Sequence, residues 1–172
     1  MTHNRSKRPQ SGSTLAEAVV ATAIIGVFFG TIFELNAVCL RYIDASKESV
    51  AALQGVQDRV EGLRNLAFTD LTNATFVQNL MATPANGSDF AKTKPTERVT
   101  IKNYDTTTNP PTVSAGVQIK RLPGANVTPS ITGSLPSGAA VVLVNVKYTW
   151  SMLGGRSGSE QTETIISSGT KK

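Results

Sequence analysis

The sequence predicts an α+β protein: one long N-terminal α-helix, membrane-embedded in its first half and amphipathic in its second, packed on a small antiparallel β-sheet. Three observations carry that expectation. Residues 18–33 form an uncharged, almost wholly apolar run, and no proline interrupts the chain between Pro9 and Pro84. Further along, Leu53, Val56, Val60, Leu63 and Ala67 recur at spacings of three and four, the stripe of a half-buried helix. The C-terminal half switches to period-two alternation, clearest where Val142, Val144, Val146, Tyr148 and Trp150 alternate with Asn145, Lys147 and Thr149.

Taking the elements in order, the first 12 residues carry Arg5, Lys7 and Arg8 and no acid. Setting those three aside leaves 14 of the 17 basic residues against 12 acidic ones, too even a balance for a polyanion-binding chain. Nucleic acid is therefore not an expected partner. The run Lys92, Lys94, Arg98 and Lys102 reads as a solvated strand edge. Cys39 is the single cysteine and His3 the single histidine, so zinc sites, internal disulfides and Ser-His-acid or Cys-His catalysis lack their parts. The acids beyond Glu34 fall into no spaced motif, and Asp105 among threonines and asparagines does not spell a calcium loop. The chain is not expected to be an enzyme or to hold a metal or cofactor, and no catalytic residue is assigned.

The apolar run of 16 residues makes roughly 24 Å of helix, short of the ~20 residues that cross a ~30 Å bilayer core. Extension back to Ser13 gives 21 residues and brings Glu17 to the edge of the hydrocarbon. The basic start favours an N-terminus kept in the cytoplasm. A carboxylate at membrane depth marks a functional site by default. It also has a local reading, because Thr14 and Glu17 match the Thr-x-x-Glu capping box. A cleaved signal peptide, a lipoprotein site and an uncleaved signal anchor are further alternatives for this segment. Gly26 and Gly30 form a GxxxG pair suited to close helix contact.

Basic residues, then Gly12, then Glu17 five positions on, then about 20 apolar residues, in that order, resemble the leader of a type IV prepilin. Leu15 stands where that family favours an aliphatic side chain, and Gly26 where glycine is frequent. Ser13 replaces the usual phenylalanine and Ala16 a larger aliphatic residue, departures that bear on methylation more than on cleavage. The resemblance implies that a prepilin peptidase cuts between Gly12 and Ser13, with N-methylation of Ser13 to follow. It implies a charge pair between Glu17 and the new amine at Ser13, on a neighbouring subunit, as the subunit leaves the bilayer for a filament. Pairing with the chain's own amine, one helical turn away, is the local alternative. The missing cysteine pair of many major pilins favours a minor pilin or a type II secretion pseudopilin. Its implied partners are the peptidase, other pilin or pseudopilin subunits, the assembly platform and membrane lipid. Its implied location is the bacterial cytoplasmic membrane, single-pass, with the C-terminal domain outside. An uncleaved, signal-anchored binding module is the alternative.

The expected organisation is a basic leader over residues 1–12, a helix over 13–68 that spans the membrane at about 13–36, and an extracytoplasmic loop and sheet domain over 69–172. The helix would run about 50–55 residues, roughly 80 Å, with Gly55 and Gly62 weakening its second half. A short helix is expected within 71–81 and a loop over 83–95. Strands are expected at 98–104, 116–122, 139–150 and 160–167. A Pro/Gly/Ser-rich loop over 123–138 and a glycine turn at Gly154 and Gly155 connect them.

Overall fold

In a computed structural model, residues 13–135, 138–152 and 155–169 are described. The leader with Gly12, and Gly154 of the expected turn, lie outside them. The chain divides into two compact units, Met1–Ile43 and Asp44–Lys172. Helix α1 covers Ser13–Arg64, 52 residues, close to the length read from the sequence. It ends four residues before the expected position 68. There the Asn65 and Leu66 amides donate to the Glu61 and Leu63 carbonyls, and extended Ala67 opens α2 at Phe68–Thr72. Asn73 then separates α2 from the short helix expected within 71–81. Its side chain accepts from the Thr75 and Phe76 amides, capping α3 at Ala74–Met81. The expected loop at 83–95 contains α4, Asp89–Thr93, capped by the Ser88 hydroxyl at the Ala91 amide.

The four expected strands form as β1 (Thr96–Asp105), β2 (Thr112–Arg121), β4 (Val141–Ser151) and β5 (Ser157–Ser167). Three start two to four residues earlier than expected, and β4 starts two residues later. A fifth, β3 (Ser130–Thr132), lies inside the expected loop 123–138. The sheet is antiparallel in the order β3-β2-β1-β4-β5, so β1 and β4 are central. Gly116 is required where β2 meets β1, since a Cβ there would fall against the Ile101 carbonyl.

The core lies between one face of this sheet and the helices of the second unit. Val99, Ile101, Val117, Ile119, Val142, Val144 and Val146 are wholly buried, against Ala52, Val56 and Leu63 of α1, Leu71 of α2, and Val77 and Met81 of α3. The buried stripe of α1 is thus Ala52, Gly55, Val56, Arg59, Val60 and Leu63. Leu53, expected in the stripe, is 43% exposed, and Ala67 is half-buried. Arg59, which falls outside the apolar stripe read from the sequence, is only 4% exposed. Trp150 is held at the edge of the core. Its indole N–H donates to Glu48 at 3.1 Å, and Phe90 packs edge-on at 5.5 Å between ring centroids.

Arg59 explains how helix and sheet are fixed together. Its Nε and Nη2 donate to the two oxygens of Glu97, at 2.5 and 3.2 Å. Its Nη1 and Nη2 also reach the Leu80 and Thr83 carbonyls at 3.3 and 2.7 Å, satisfying groups at the C-terminal end of α3. Glu97 is wholly buried at the centre of the sheet, opposite Arg121 of β2 and Tyr148 of β4. Arg121 donates to the Ala91 and Gly124 carbonyls, and its Nε has no hydrogen-bond partner among the described residues. Burial lowers its pKa, which the nearby Glu97 carboxylate partly offsets. Burial, with Glu97 beside it, raises the pKa of the Tyr148 phenol, whose hydroxyl makes no hydrogen bond among the described residues.

Gly55 lets the Tyr148 ring lie against α1, since a Cβ there would sit 2.7 Å from the ring. Gly55→Ala is therefore expected to destabilise the chain by about 1–3 kcal/mol through overpacking. Gly62 faces open space on the same helix. Gly62→Ala is expected to stabilise by up to about 1 kcal/mol through backbone entropy and helix propensity. Urea unfolding of the two variants in neutral detergent reads both signs.

Candidate membrane and assembly helix

Among the described residues, the candidate functional element of the first unit is the part of α1 up to Ile43. Its large apolar side chains are exposed along the run: Leu15, Val19, Ile24, Val27, Phe28, Phe29 and Phe33 all stand at 54% or more. Water does not stabilise such a surface, and a monomeric soluble protein rarely shows one. The helix is long and apolar enough to cross a membrane, with a mean hydropathy of 2.1 over its best window, none of it buried.

The polar groups in the run are handled as an apolar solvent demands. The Thr22 hydroxyl donates to the Ala18 and Val19 carbonyls at 3.0 and 2.9 Å, and that of Thr31 to Phe28 at 2.8 Å. Both threonines therefore carry their hydrogen bonds inside the helix. Glu17 and Glu34 bracket the apolar run, and both are exposed. Thr14 is already helical, so it does not serve as the N-cap of a capping box with Glu17. Without that local role, the Glu17 carboxylate makes no hydrogen bond or ion pair among the described residues.

Ser13 is the first residue of α1. A backbone amine at that position would lie one turn before Glu17, on the same side of the helix. Gly26 and Gly30 sit one turn apart, and a Cβ on either would meet nothing within 4 Å, leaving a shallow notch open to a second helix. Cys39 is a free, exposed thiol on the same helix.

In the second unit, Asp105 is engaged locally. Its carboxylate accepts from the Thr107 amide and hydroxyl at 2.8 and 2.6 Å, which lowers its pKa. Among the described residues no three His, Cys, Asp or Glu side chains are grouped to hold a metal ion. Comparison with family models, with curated proteins and with solved structures finds no match to this chain.

Proposed function

We propose that this chain is a membrane-anchored, pilin-like structural subunit. A prepilin peptidase processes it after Gly12, and it assembles into a type IV pilus or a type II secretion pseudopilus as a minor component. The observation that carries the reading is Glu17 at the mouth of an exposed apolar helix, five residues behind Gly12 and a basic leader. A helix of 52 residues followed by a small antiparallel sheet supports it as the arrangement that pilin subunits share. In this reading the N-terminus starts in the cytoplasm, the apolar part of α1 lies in lipid, and the sheet domain lies outside.

Chemistry is done to the chain and not by it. Cleavage exposes an α-amine at Ser13, and Glu17 supplies the carboxylate that neutralises the corresponding amine of a neighbouring subunit in a low-dielectric setting. Gly26 and Gly30 then mark a face for close helix contact.

The test is the N-terminal residue of the protein extracted from its native membrane, read by intact mass and terminal sequencing. The expected start is Ser13, with or without one methyl group. A start at Met1 would leave an anchored module that does not enter filaments, and a start beyond Thr22 would mark a cleaved secretion signal.

A further inference from the structure

The sequence contains one Asn-Gly pair, Asn86-Gly87, and Ser88 follows it. These residues lie in the bend between α3 and α4, with Asn86 half-buried and Gly87 exposed. Their hydrogen bonds prepare the Asn86 side chain for a reaction with its own backbone.

The Asn86 amide is engaged at both ends. Its Oδ1 accepts from the Ser88 amide at 3.1 Å and from the Ser88 hydroxyl at 2.6 Å. That hydroxyl has a single proton to give, and it is held from behind because Ser88 Oγ accepts from the Ala91 amide at 3.1 Å. At the other end, Asn86 Nδ2 donates to the Asp58 carboxylate of α1 at 2.7 Å. Two donors on a carbonyl oxygen draw electrons from its carbon and stabilise the oxyanion that forms when a nucleophile adds there. A side-chain carbonyl bonded to the backbone two residues on is folded over the residue between, here Gly87. Gly87 has no Cβ to hinder its nitrogen, and a Cβ there would meet nothing within 4 Å among the described residues.

We propose that Asn86 is a self-modification site. The Gly87 nitrogen gives up its proton and bonds to Asn86 Cγ. The Cγ–Nδ2 bond breaks, and ammonia leaves with that proton, closing a succinimide ring. Water then opens the ring at one carbonyl or the other. The residue left is aspartate, or isoaspartate with the main chain rerouted through Cγ.

The product carries a carboxylate where the Nδ2 donor stood against Asp58, and two carboxylates in contact repel. The tie between α1 and the bend before α4 is thereby lost. Isoaspartate also lengthens the main chain by one carbon just before Ser88, the residue that caps α4. The site is a slow, one-way release of this bend from α1. Asn73 supplies an internal control. Its Oδ1 likewise accepts two amides, from Thr75 and Phe76, but Ala74 follows it, carries a Cβ and is already helical. Asn73 should therefore stay intact. The inference does not depend on filament assembly.

The test incubates the full chain in neutral-detergent micelles at mildly alkaline pH, beside a synthetic peptide of residues 82–92. Residue 86 is followed by peptide mass mapping, with isoaspartate labelled by an isoaspartate methyltransferase. The folded chain should convert at residue 86 at least as fast as the peptide, with no conversion at Asn73. Gly87→Ala should slow it by about tenfold or more, because a Cβ hinders the close approach that the step needs. Ser88→Ala separates activation from restraint. It removes one donor from the oxyanion, so conversion should slow by about tenfold, less than the ~10²–10³ of a buried enzyme donor because this bend is open to water. Were the hydrogen bonds only a restraint, the same change would leave the rate unchanged or raise it, which overturns the proposal. So does a folded chain that stays intact at residue 86 while the peptide converts. Asn86→Asp should unfold at a lower urea concentration than the parent, and adding Asp58→Asn should restore it. Equal midpoints for Asn86→Asp and the parent would overturn the release of the bend.

Discussion

Arg59→Ala is expected to destabilise the folded chain by about 3–5 kcal/mol, the usual cost of breaking a buried ion pair from one side. The cost does not measure the strength of the Arg59–Glu97 contact. It arises because Glu97 is wholly buried and cannot regain water when its partner goes. The Leu80 and Thr83 carbonyls lose donors in the same step. Glu97→Gln should cost at least as much, because it leaves the Arg59 and Arg121 guanidiniums sharing one buried site without an anion. Replacing both partners with apolar residues, Arg59→Met with Glu97→Leu, should cost less than the two single changes added together. A double-mutant cycle in urea, read on the full chain in neutral detergent, gives the coupling directly. A loss below about 1 kcal/mol for Arg59→Ala would mean that water reaches the pair, and the cluster would then not be what fixes α1 to the sheet.

The same cluster shows why part of this fold could not be read from the sequence. Arg59 and Glu97 lie 38 residues apart, and each sits in a locally unremarkable setting. Arg59 lies among charged residues on a helix, where solvation is the default reading. Only the register, which sets Glu97 beside Arg121 and Tyr148, makes its burial necessary. By contrast, β4 was legible because its one-sided burial writes itself into the alternation of Val142 to Trp150. The three-residue β3 offers too short a window for alternation to be seen. Asn73 could have been read as a cap dividing α2 from α3, and Ser88 as the start of α4, since both are preferred N-cap residues. The candidate site in α1 was legible for the simplest reason: the uncharged run between Glu17 and Glu34 is local. Its α+β setting and exposed apolar helix agree with what was expected.

Glu17→Gln is expected to leave processing after Gly12 and membrane insertion intact while reducing incorporation into filaments by at least about a hundredfold. Glutamine keeps the length and helix propensity of glutamate and removes only the charge. No capping role is lost with it, because Thr14 lies inside α1. In lipid as a free subunit, the uncharged side chain should be better tolerated than the carboxylate, so the variant should accumulate in the membrane. Within a filament, however, each incoming amine would be buried without an anion. A one-sided loss of about 3–5 kcal/mol per contact corresponds to roughly 10²–10³ or more in association. The measurement is the fraction of Ser13-starting protein found in sheared filaments relative to membranes, for the variant and the parent. Retention of Met1 in the variant would move the role of Glu17 to peptidase recognition. Normal assembly of correctly processed Glu17→Gln would remove the charge pair as the driving force. Assembly would then rest on the apolar face and on the notch at Gly26 and Gly30, and substitution of those glycines by leucine would have to abolish it instead.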